Sequence, residues 1–204
     1  MKTYRIASLP GDGIGIEVIP AGIEVLQALA SREGFTLEFE HFDWGSERYL
    51  ETGSYMPEDA LAQLRDFDAI FFGAVGSPHV PDHVSLWGLR LPICQGFDQY
   101  ANVRPSRVLP GITSPLAKGS EIDWVIVREN TEGEYSGSGG RVHRGLPEEV
   151  ATETSVFTRS GVERVQRFAF ELARSRPRKH LTLVTKSNAQ RHGMVLWDEI
   201  FYEV

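Results

Sequence analysis

The first 75 residues alternate between patterns typical of strands and patterns typical of helices. Residues 4–9 and 35–42 are short apolar strand candidates, and residues 14–31 between them carry apolar side chains at helical spacing. A second helix is predicted at 56–65, and the continuous apolar run at 68–75 is typical of a strand covered on both faces. Strands and helices that alternate in this way form a parallel sheet with helices packed against it, so the sequence predicts an α/β fold.

The second half of the chain predicts a different arrangement, with a domain boundary at 100–102. Residues 73–104 are rich in Gly, Pro and His, which favours loops with one helix at 93–100. Strands are expected at 103–109, 122–128, 151–158 and 181–185. Helices are expected at 162–173 and 189–202, the latter capped by Asn188.

Charge and cysteine content exclude some classes of function. The formal net charge of -7 argues against a general affinity for nucleic acid or anionic membranes. Cys94 is the single cysteine, so no internal disulfide can form, which fits a reducing cytosol. No leader pattern and no membrane-length apolar run occur in the sequence. We therefore expect a cytoplasmic protein with neither nucleic-acid nor membrane partners.

The segment WVIVRENTEGEYSG, residues 124–137, carries the strongest chemical pattern. An apolar strand delivers Arg128 into a glycine-containing turn, and Tyr135 follows seven residues later. Arginine presents a fork of donors that matches a carboxylate, and tyrosine is a weak acid that can donate a proton. The segment thus predicts a site for a small carboxylate beside a proton donor.

Other candidate residues have two interpretations each from the sequence. Lys186 follows the predicted strand at 181–185; it either points to solvent or is half-buried at a ligand-binding sheet edge, where it can accept a proton. The arginines of the central region are either surface charges or converge on a di- or tricarboxylate; they are Arg90, Arg104, Arg107 and Arg128. The glycines at 11, 13 and 15 suggest a dinucleotide turn, but Ile16 stands where G-x-G-x-x-G needs its third glycine. A purely structural turn is therefore favoured.

Five motifs occur in order along the chain: PGDGIG at 10–15, GAVGSP at 73–78, DQYANVRP at 98–105, VRENTEGEYSG at 127–137 and TKSN at 185–188. Together they resemble the metal-dependent β-decarboxylating dehydrogenases, which comprise isopropylmalate, isocitrate and tartrate/D-malate dehydrogenases. HVSLWGL at 83–89, with the neighbouring FDQYANVRP, most resembles the tartrate/D-malate branch.

The resemblance implies a two-domain α/β fold of the isopropylmalate dehydrogenase type, here truncated. Residues 1–100 would form part of a first domain that further C-terminal sequence completes. Residues 101–204 would form most of a second, dimer-forming domain with a projecting arm near 136–158. The implied activity is oxidative decarboxylation of a small 2-hydroxy dicarboxylic acid with NAD and Mg²⁺ or Mn²⁺, in a homodimer with shared active sites.

The resemblance also implies roles for individual residues. Tyr135 would protonate C3 of the substrate after decarboxylation, and Lys186 would serve the hydroxyl proton in the site of the neighbouring subunit. Arg104 and Arg128 would hold the substrate carboxylates. The cofactor would lie near Asn188 and near the turn Gly73, Ala74, Val75 and Gly76.

Two departures from the family pattern qualify these roles. Cys94 occupies the position of another substrate arginine, which Arg90 would replace from one helical turn away. The family's metal-binding aspartates and main adenosine-binding loop lie beyond position 204, so we predict no metal ligands within the chain and no activity from the chain alone. Two alternatives stay open: a 3-isopropylmalate dehydrogenase, with Trp87 as the discriminating residue, and a truncated, non-catalytic paralogue that dimerises.

Overall fold

The computed structural model describes residues 2–117 and 122–204, and the chain divides into two compact units. The first unit is Met1–Phe97 and the second is Asp98–Val204. Every described helix is too short or too polar to traverse a lipid bilayer.

The first unit is built on a three-stranded parallel sheet with the strand order β2-β1-β3. Its strands are β1 (Thr3–Gly11), β2 (Thr36–His41) and β3 (Ala69–Ala74). Its first three helices are α1 (Gly15–Glu33), α2 (Ser46–Thr52) and α3 (Ala60–Leu64). The predicted strands and first helix are present, and Gly34 ends α1 in the left-handed conformation, as its position in the sequence indicates.

A helical stretch follows β3, where the sequence predicted mostly loops. It comprises α4 (Asp82–Ser85), a π-helical segment (Leu86–Arg90) and α5 (Leu91–Gly96). The loop prediction was wrong because the stretch is held by burial: Leu89 and Leu91 are fully buried and Ile93 nearly so. Tertiary burial outweighs the weak helix propensity of the local Gly and Pro residues.

The second unit contains two antiparallel strand pairs and two helices. The strand pairs are β4 (Ala101–Arg107) with β5 (Asp123–Glu129), and β6 (Gly133–Val142) with β7 (Val150–Val156). The helices are α6 (Arg159–Ser175) and α7 (Gly193–Glu203). The β6–β7 pair is a hairpin with a register irregularity between Gly133 and Ser138.

Two predictions for the end of the chain were wrong. Residues 181–185 form no strand, and Val184 is 88% exposed. Apolar alternation encodes a strand only where a neighbouring strand can pair with it, and no described strand does so here. Helix α7 begins at Gly193 rather than 189, and Asn188 does not cap it; His192 is the N-cap residue and makes no side-chain cap bond.

Candidate active site

Arg128 and Tyr135 are in direct contact in the second unit. Arg128 lies near the end of β5 and Tyr135 near the start of β6, joined by a turn in which Gly133 has φ 64°. Nη1 of Arg128 donates to the Tyr135 hydroxyl at 3.3 Å, and its Cζ lies 5.3 Å from the ring centroid. Both side chains are half-buried. The turn therefore holds a cation and a phenol together.

Asn130 fixes the other arm of the same guanidinium. It is 3% exposed, and its Oδ1 accepts from Nη2 of Arg128 at 3.2 Å and from Nδ2 of Asn102 at 3.4 Å. Its own Nδ2 donates to the backbone carbonyl of Gln99 at 3.1 Å. Sequence reasoning missed the role of Asn130, although the residue stands beside Arg128 in the REN triplet. The buried Asn130 side chain therefore fixes the orientation of the Arg128 guanidinium.

Arg104 lies on the same face of the β4–β5 ladder as Arg128. Asn102 is paired with Arg128 and Arg104 with Ile126, so the two arginines are diagonal neighbours on one face. Such diagonal positions are about 7–8 Å apart between Cα atoms. Arg104 is exposed, whereas Arg128 is half-buried. One face of this ladder thus carries both arginines.

The acidic residues of the motif build the turn. Glu129 accepts hydrogen bonds from the backbone N–H of Thr131 and Glu132 and from the Thr131 hydroxyl, at 2.7–3.0 Å. Glu132 accepts from the backbone N–H and the hydroxyl of Thr158, the N-cap residue of α6. Glu134 is exposed. The carboxylates of Glu129 and Glu132 therefore have backbone-organising roles.

Arg164 of helix α6 supports one end of the β4–β5 ladder, where β4 begins and β5 ends. Its Nη1 contacts Oδ2 of Asp98 at 2.7 Å, and its Nη2 donates to the Thr131 hydroxyl at 3.1 Å. Its guanidinium also lies over the ring of Tyr100, 4.7 Å from the centroid. Asp98 precedes β4 with φ 48°, and Thr131 follows β5. Helix α6 thereby ties the entry of one strand to the exit of the next.

Lys186 and Asn188 lie in an exposed turn that precedes α7. The carbonyl of Lys186 accepts from the backbone N–H groups of Ala189 and Gln190 at 3.0 and 2.9 Å. The expectation that Lys186 ends a strand was wrong, and the side chain is exposed rather than half-buried. An exposed position leaves the lysine available to another molecule.

The glycine-rich turns of the first unit meet at one edge of its sheet. Gly11 is paired with Ala74, and the backbone N–H of Asp12 donates to the Ala74 carbonyl at 2.7 Å. A Cβ on Gly15 would lie 2.0 Å from the carbonyl oxygen of Pro10, so the glycine permits close packing of the two turns. Gly76, by contrast, has φ 137° and open space around it. Residues 73 and 74 are thus the closely packed end of β3, and open space begins at Gly76, just beyond the carboxyl end of the strand.

Arg90 and Cys94 lie in the helical stretch of the first unit. Arg90 ends the π-helical segment and is half-buried, and Cys94 is 9% exposed in α5. Cys94 is therefore a core residue of that unit. That Arg90 takes the role of the substrate arginine absent from position 94 stays a prediction.

Known proteins match the chain over nearly all of its length. Residues 5–204 match the isocitrate/isopropylmalate dehydrogenase family. The chain is 67% identical to a probable tartrate dehydrogenase/decarboxylase of Agrobacterium vitis, over 100% of this chain and 58% of the relative. It is 58% identical to a D-malate dehydrogenase (decarboxylating) of Escherichia coli, over 98% of this chain and 56% of the relative. It spans somewhat more than half the length of these relatives.

A solved structure matches the fold as well. The crystal structure of isocitrate dehydrogenase from Methylococcus capsulatus superposes with a TM-score of 0.83 at 32% sequence identity. The match covers 98% of this chain and 56% of that one. The order of motifs along the sequence and the arrangement of the backbone thus lead to the same group of proteins.

Proposed function

This chain belongs to the isocitrate/isopropylmalate dehydrogenase family, and from that premise we propose its reaction. The reaction is the NAD-dependent oxidative decarboxylation of a small 2-hydroxy dicarboxylic acid of the D-malate or tartrate type, assisted by Mg²⁺ or Mn²⁺. The relatives named above are described as decarboxylating enzymes for tartrate and D-malate. The residues of this chain supply the carboxylate grip and the proton transfers.

The contact between Arg128 and Tyr135 is the observation that carries the proposal. A guanidinium whose Nη1 is 3.3 Å from a phenol oxygen places a bound carboxylate beside a proton donor. Asn130 holds the guanidinium in that orientation before any substrate arrives. A site organised in advance spends less binding free energy on ordering its own side chains.

Arg104 would hold the second carboxylate of the same substrate. Its diagonal position on the same face of the ladder as Arg128 lets one small acid meet both arginines. Because Arg104 is exposed, its contribution depends on the substrate more than on protein partners. A monocarboxylate would leave one of the two arginines without an ionic partner.

The proposed residues account for each proton that moves in the reaction. The substrate hydroxyl loses its proton to Lys186 of a neighbouring subunit as C2 is oxidised. The bond from C3 to its carboxylate then breaks, CO₂ leaves, and the electron pair remains on the substrate as an enolate. Tyr135 donates a proton to C3, so the proton lost from the hydroxyl is balanced by the one gained at carbon.

The first unit would hold part of the cofactor at residues 73–76. NAD, when bound, accepts the hydride from C2. The open space beside Gly76, just beyond the carboxyl end of β3, lies at the edge where α/β sheets bind their ligands. Asn188 is exposed in its turn and available for the proposed contact with the ribose.

The described residues do not by themselves fit a divalent metal. Residues 2–117 and 122–204 contain no group of three His, Cys, Asp or Glu side chains that could hold an ion. Mg²⁺ and Mn²⁺ need several oxygen ligands, which would have to come from outside this set. We assign no step to the metal here, and we expect residues 1–204 alone to be inactive.

A homodimer is part of the proposal because the family resemblance implies that Lys186, which is exposed on its own chain, serves the site of a neighbouring subunit. The β6–β7 hairpin also exposes apolar side chains typical of an interaction surface; these are Val142, Leu146, Val150 and Val156. Pairing of two copies through this hairpin would cover those side chains. It would also allow each subunit to serve the other's site.

Trp87 bears on the choice between D-malate and isopropylmalate. It lies in the π-helical segment and is 41% exposed, so its indole is available to a ligand on that side of the unit. That this indole excludes an isopropyl substituent stays a prediction. The similarity to enzymes of tartrate and D-malate favours the smaller hydroxy acids.

The test compares residues 1–204 with the full gene product, meaning the longest in-frame product of the gene. NADH formation is measured with D-malate, tartrate and 3-isopropylmalate in the presence of Mn²⁺. We expect turnover of D-malate or tartrate by the full gene product and none by residues 1–204. A full gene product that binds no substrate and turns over none would support the non-catalytic alternative, and faster turnover of isopropylmalate would overturn the substrate assignment.

A further inference from the structure

Asp12 is a buried carboxylate that the proposed reaction does not use. It follows β1 directly and is 6% exposed. Its Oδ1 accepts from the backbone N–H of Ser46 at 2.6 Å, and its Oδ2 accepts from the Ser46 hydroxyl at 2.7 Å. Oδ2 also accepts from the backbone N–H of Gly76 at 2.8 Å. One side chain therefore joins the end of β1, the start of α2 and the turn after β3.

The bond to Gly76 is the one with consequences for ligand binding. Gly76 ends the turn of residues 73–76 in a conformation, φ 137°, that L side chains rarely adopt. Glycine reaches this conformation without steric cost, so the surrounding contacts select it among the many that glycine can adopt. Asp12 contacts this turn through two of its own groups. Its backbone N–H donates to the Ala74 carbonyl, and its carboxylate accepts from the Gly76 N–H.

The same carboxylate is linked to the helical stretch of the first unit. The Ser46 hydroxyl donates its single proton to Asp12, so Tyr55 must donate to Ser46 across their 2.9 Å contact. The Tyr55 ring occupies the space beside Gly88, where a Cβ would lie 2.6 Å from the ring. Tyr55 is 2% exposed and stacks on Tyr49. The network therefore runs from the turn to the π-helical segment through buried groups.

We propose that Asp12 is a positioning residue that holds the backbone of residues 73–76 in its ligand-ready form. Loss of the carboxylate frees the Gly76 N–H and lets the turn move to other conformations open to glycine. The consequence is weaker binding of the dinucleotide with little change in the chemical step. The effect on NAD rests on the proposed function, whereas the effect on the turn does not.

The experiment measures two quantities in the full gene product carrying Asp12→Ala. The first is amide hydrogen exchange at Gly76, divided by that at Leu9, which is fully buried in β1 and reports general loosening of the unit. The second is the KM for NAD, measured together with kcat. Asp68→Ala is the matched control, because the Asp68 carboxylate also accepts a backbone N–H in this unit, from Arg5, but is exposed.

We expect the exchange ratio to rise about tenfold or more, the size of effect that loss of a bond to a charged acceptor produces. The KM for NAD should rise several-fold while kcat and the KM for the hydroxy acid change less than twofold. Asp68→Ala should change neither the exchange ratio nor these kinetic constants. An unchanged exchange ratio would overturn the positioning role. A raised ratio with an unchanged KM for NAD would instead overturn the assignment of this turn to the cofactor. If Asp12→Ala does not fold, Asp12→Asn is measured in the same way. It replaces the charged acceptor by a neutral one, so a several-fold rise of the exchange ratio is expected, and an unchanged ratio would overturn the role.

Discussion

Replacement of Asn130 by alanine should release Arg128 from its fixed orientation. The substitution removes the acceptor of the 3.2 Å bond from Nη2 of Arg128 and the donor of the 3.1 Å bond to the Gln99 carbonyl. It also removes the longer, 3.4 Å contact with Asn102. Arg128 then keeps only its bond to Tyr135 among these contacts, because its Nε is buried and has no hydrogen-bond partner in the described part of the chain.

The magnitude follows from the nature of each bond. A hydrogen bond with a charged donor contributes about 1.5–3 kcal/mol and a neutral one about 0.5–1.5 kcal/mol. We therefore expect Asn130→Ala to lower the free energy of unfolding by about 2–4 kcal/mol. Asn102→Ala removes only the longest of the three contacts and should cost less than about 1 kcal/mol.

Urea unfolding of the full gene product, followed by circular dichroism, measures the difference at constant m-value. Steady-state kinetics supply the functional counterpart: kcat/KM for the hydroxy acid should fall about 10- to 100-fold in Asn130→Ala, because the carboxylate grip is displaced. The KM for NAD should stay unchanged. If Asn130→Ala and Asn102→Ala were equally stable and equally active, Asn130 would have no special part in orienting Arg128.

Three further predictions concern other parts of the molecule. Gly15→Ala places a Cβ 2.0 Å from a backbone carbonyl oxygen, so it should lower the free energy of unfolding in urea by about 1–3 kcal/mol or more. Gly140→Ala places its Cβ in open space and should leave that free energy nearly unchanged. Equal unfolding midpoints of the two variants would contradict the packing role of Gly15. Tyr135→Phe keeps the ring beside the arginine but loses the proton donor, so kcat should fall about 10²-fold or more with a smaller change in KM, and an unchanged kcat would exclude the proposed acid. Lysine cannot reproduce the planar guanidinium of Arg164, which bonds Asp98 and Thr131 at once. Arg164→Lys should therefore lower the melting temperature more than Arg174→Lys, which changes an exposed ion pair on the same helix. The reverse order would refute the supporting role of Arg164.

The sheet of the first unit could be predicted from sequence because its signals are local. Strand β3 is a continuous apolar run, and α1 ends at a glycine that takes the left-handed conformation. The helical stretch from Asp82 to Gly96 could not be predicted in the same way. Its sequence contains glycine and proline, and its stability comes from burial of Leu89 and its neighbours against residues distant in sequence.

The candidate site shows the same division. The pairing of Arg128 with Tyr135 was suggested by their separation along one strand and turn, and the structure brings the two side chains into contact. The strand before Lys186 was predicted from local alternation and is absent, because no described strand pairs with residues 181–185. The catalytic roles of these residues stay predictions until the variants are measured.

The sequence by itself determined the α/β class, the family and the residue types of the site, because periodicity, glycine placement and ordered motifs are properties of the chain alone. Only the tertiary structure decided which groups orient Arg128 and which carboxylates hold the backbone. Asn130 reaches Gln99, and Asp12 reaches Gly76, across 31 and 64 positions of sequence. Hydrogen bonds over such separations depend on how strands and turns come together, and no local pattern of residues encodes them.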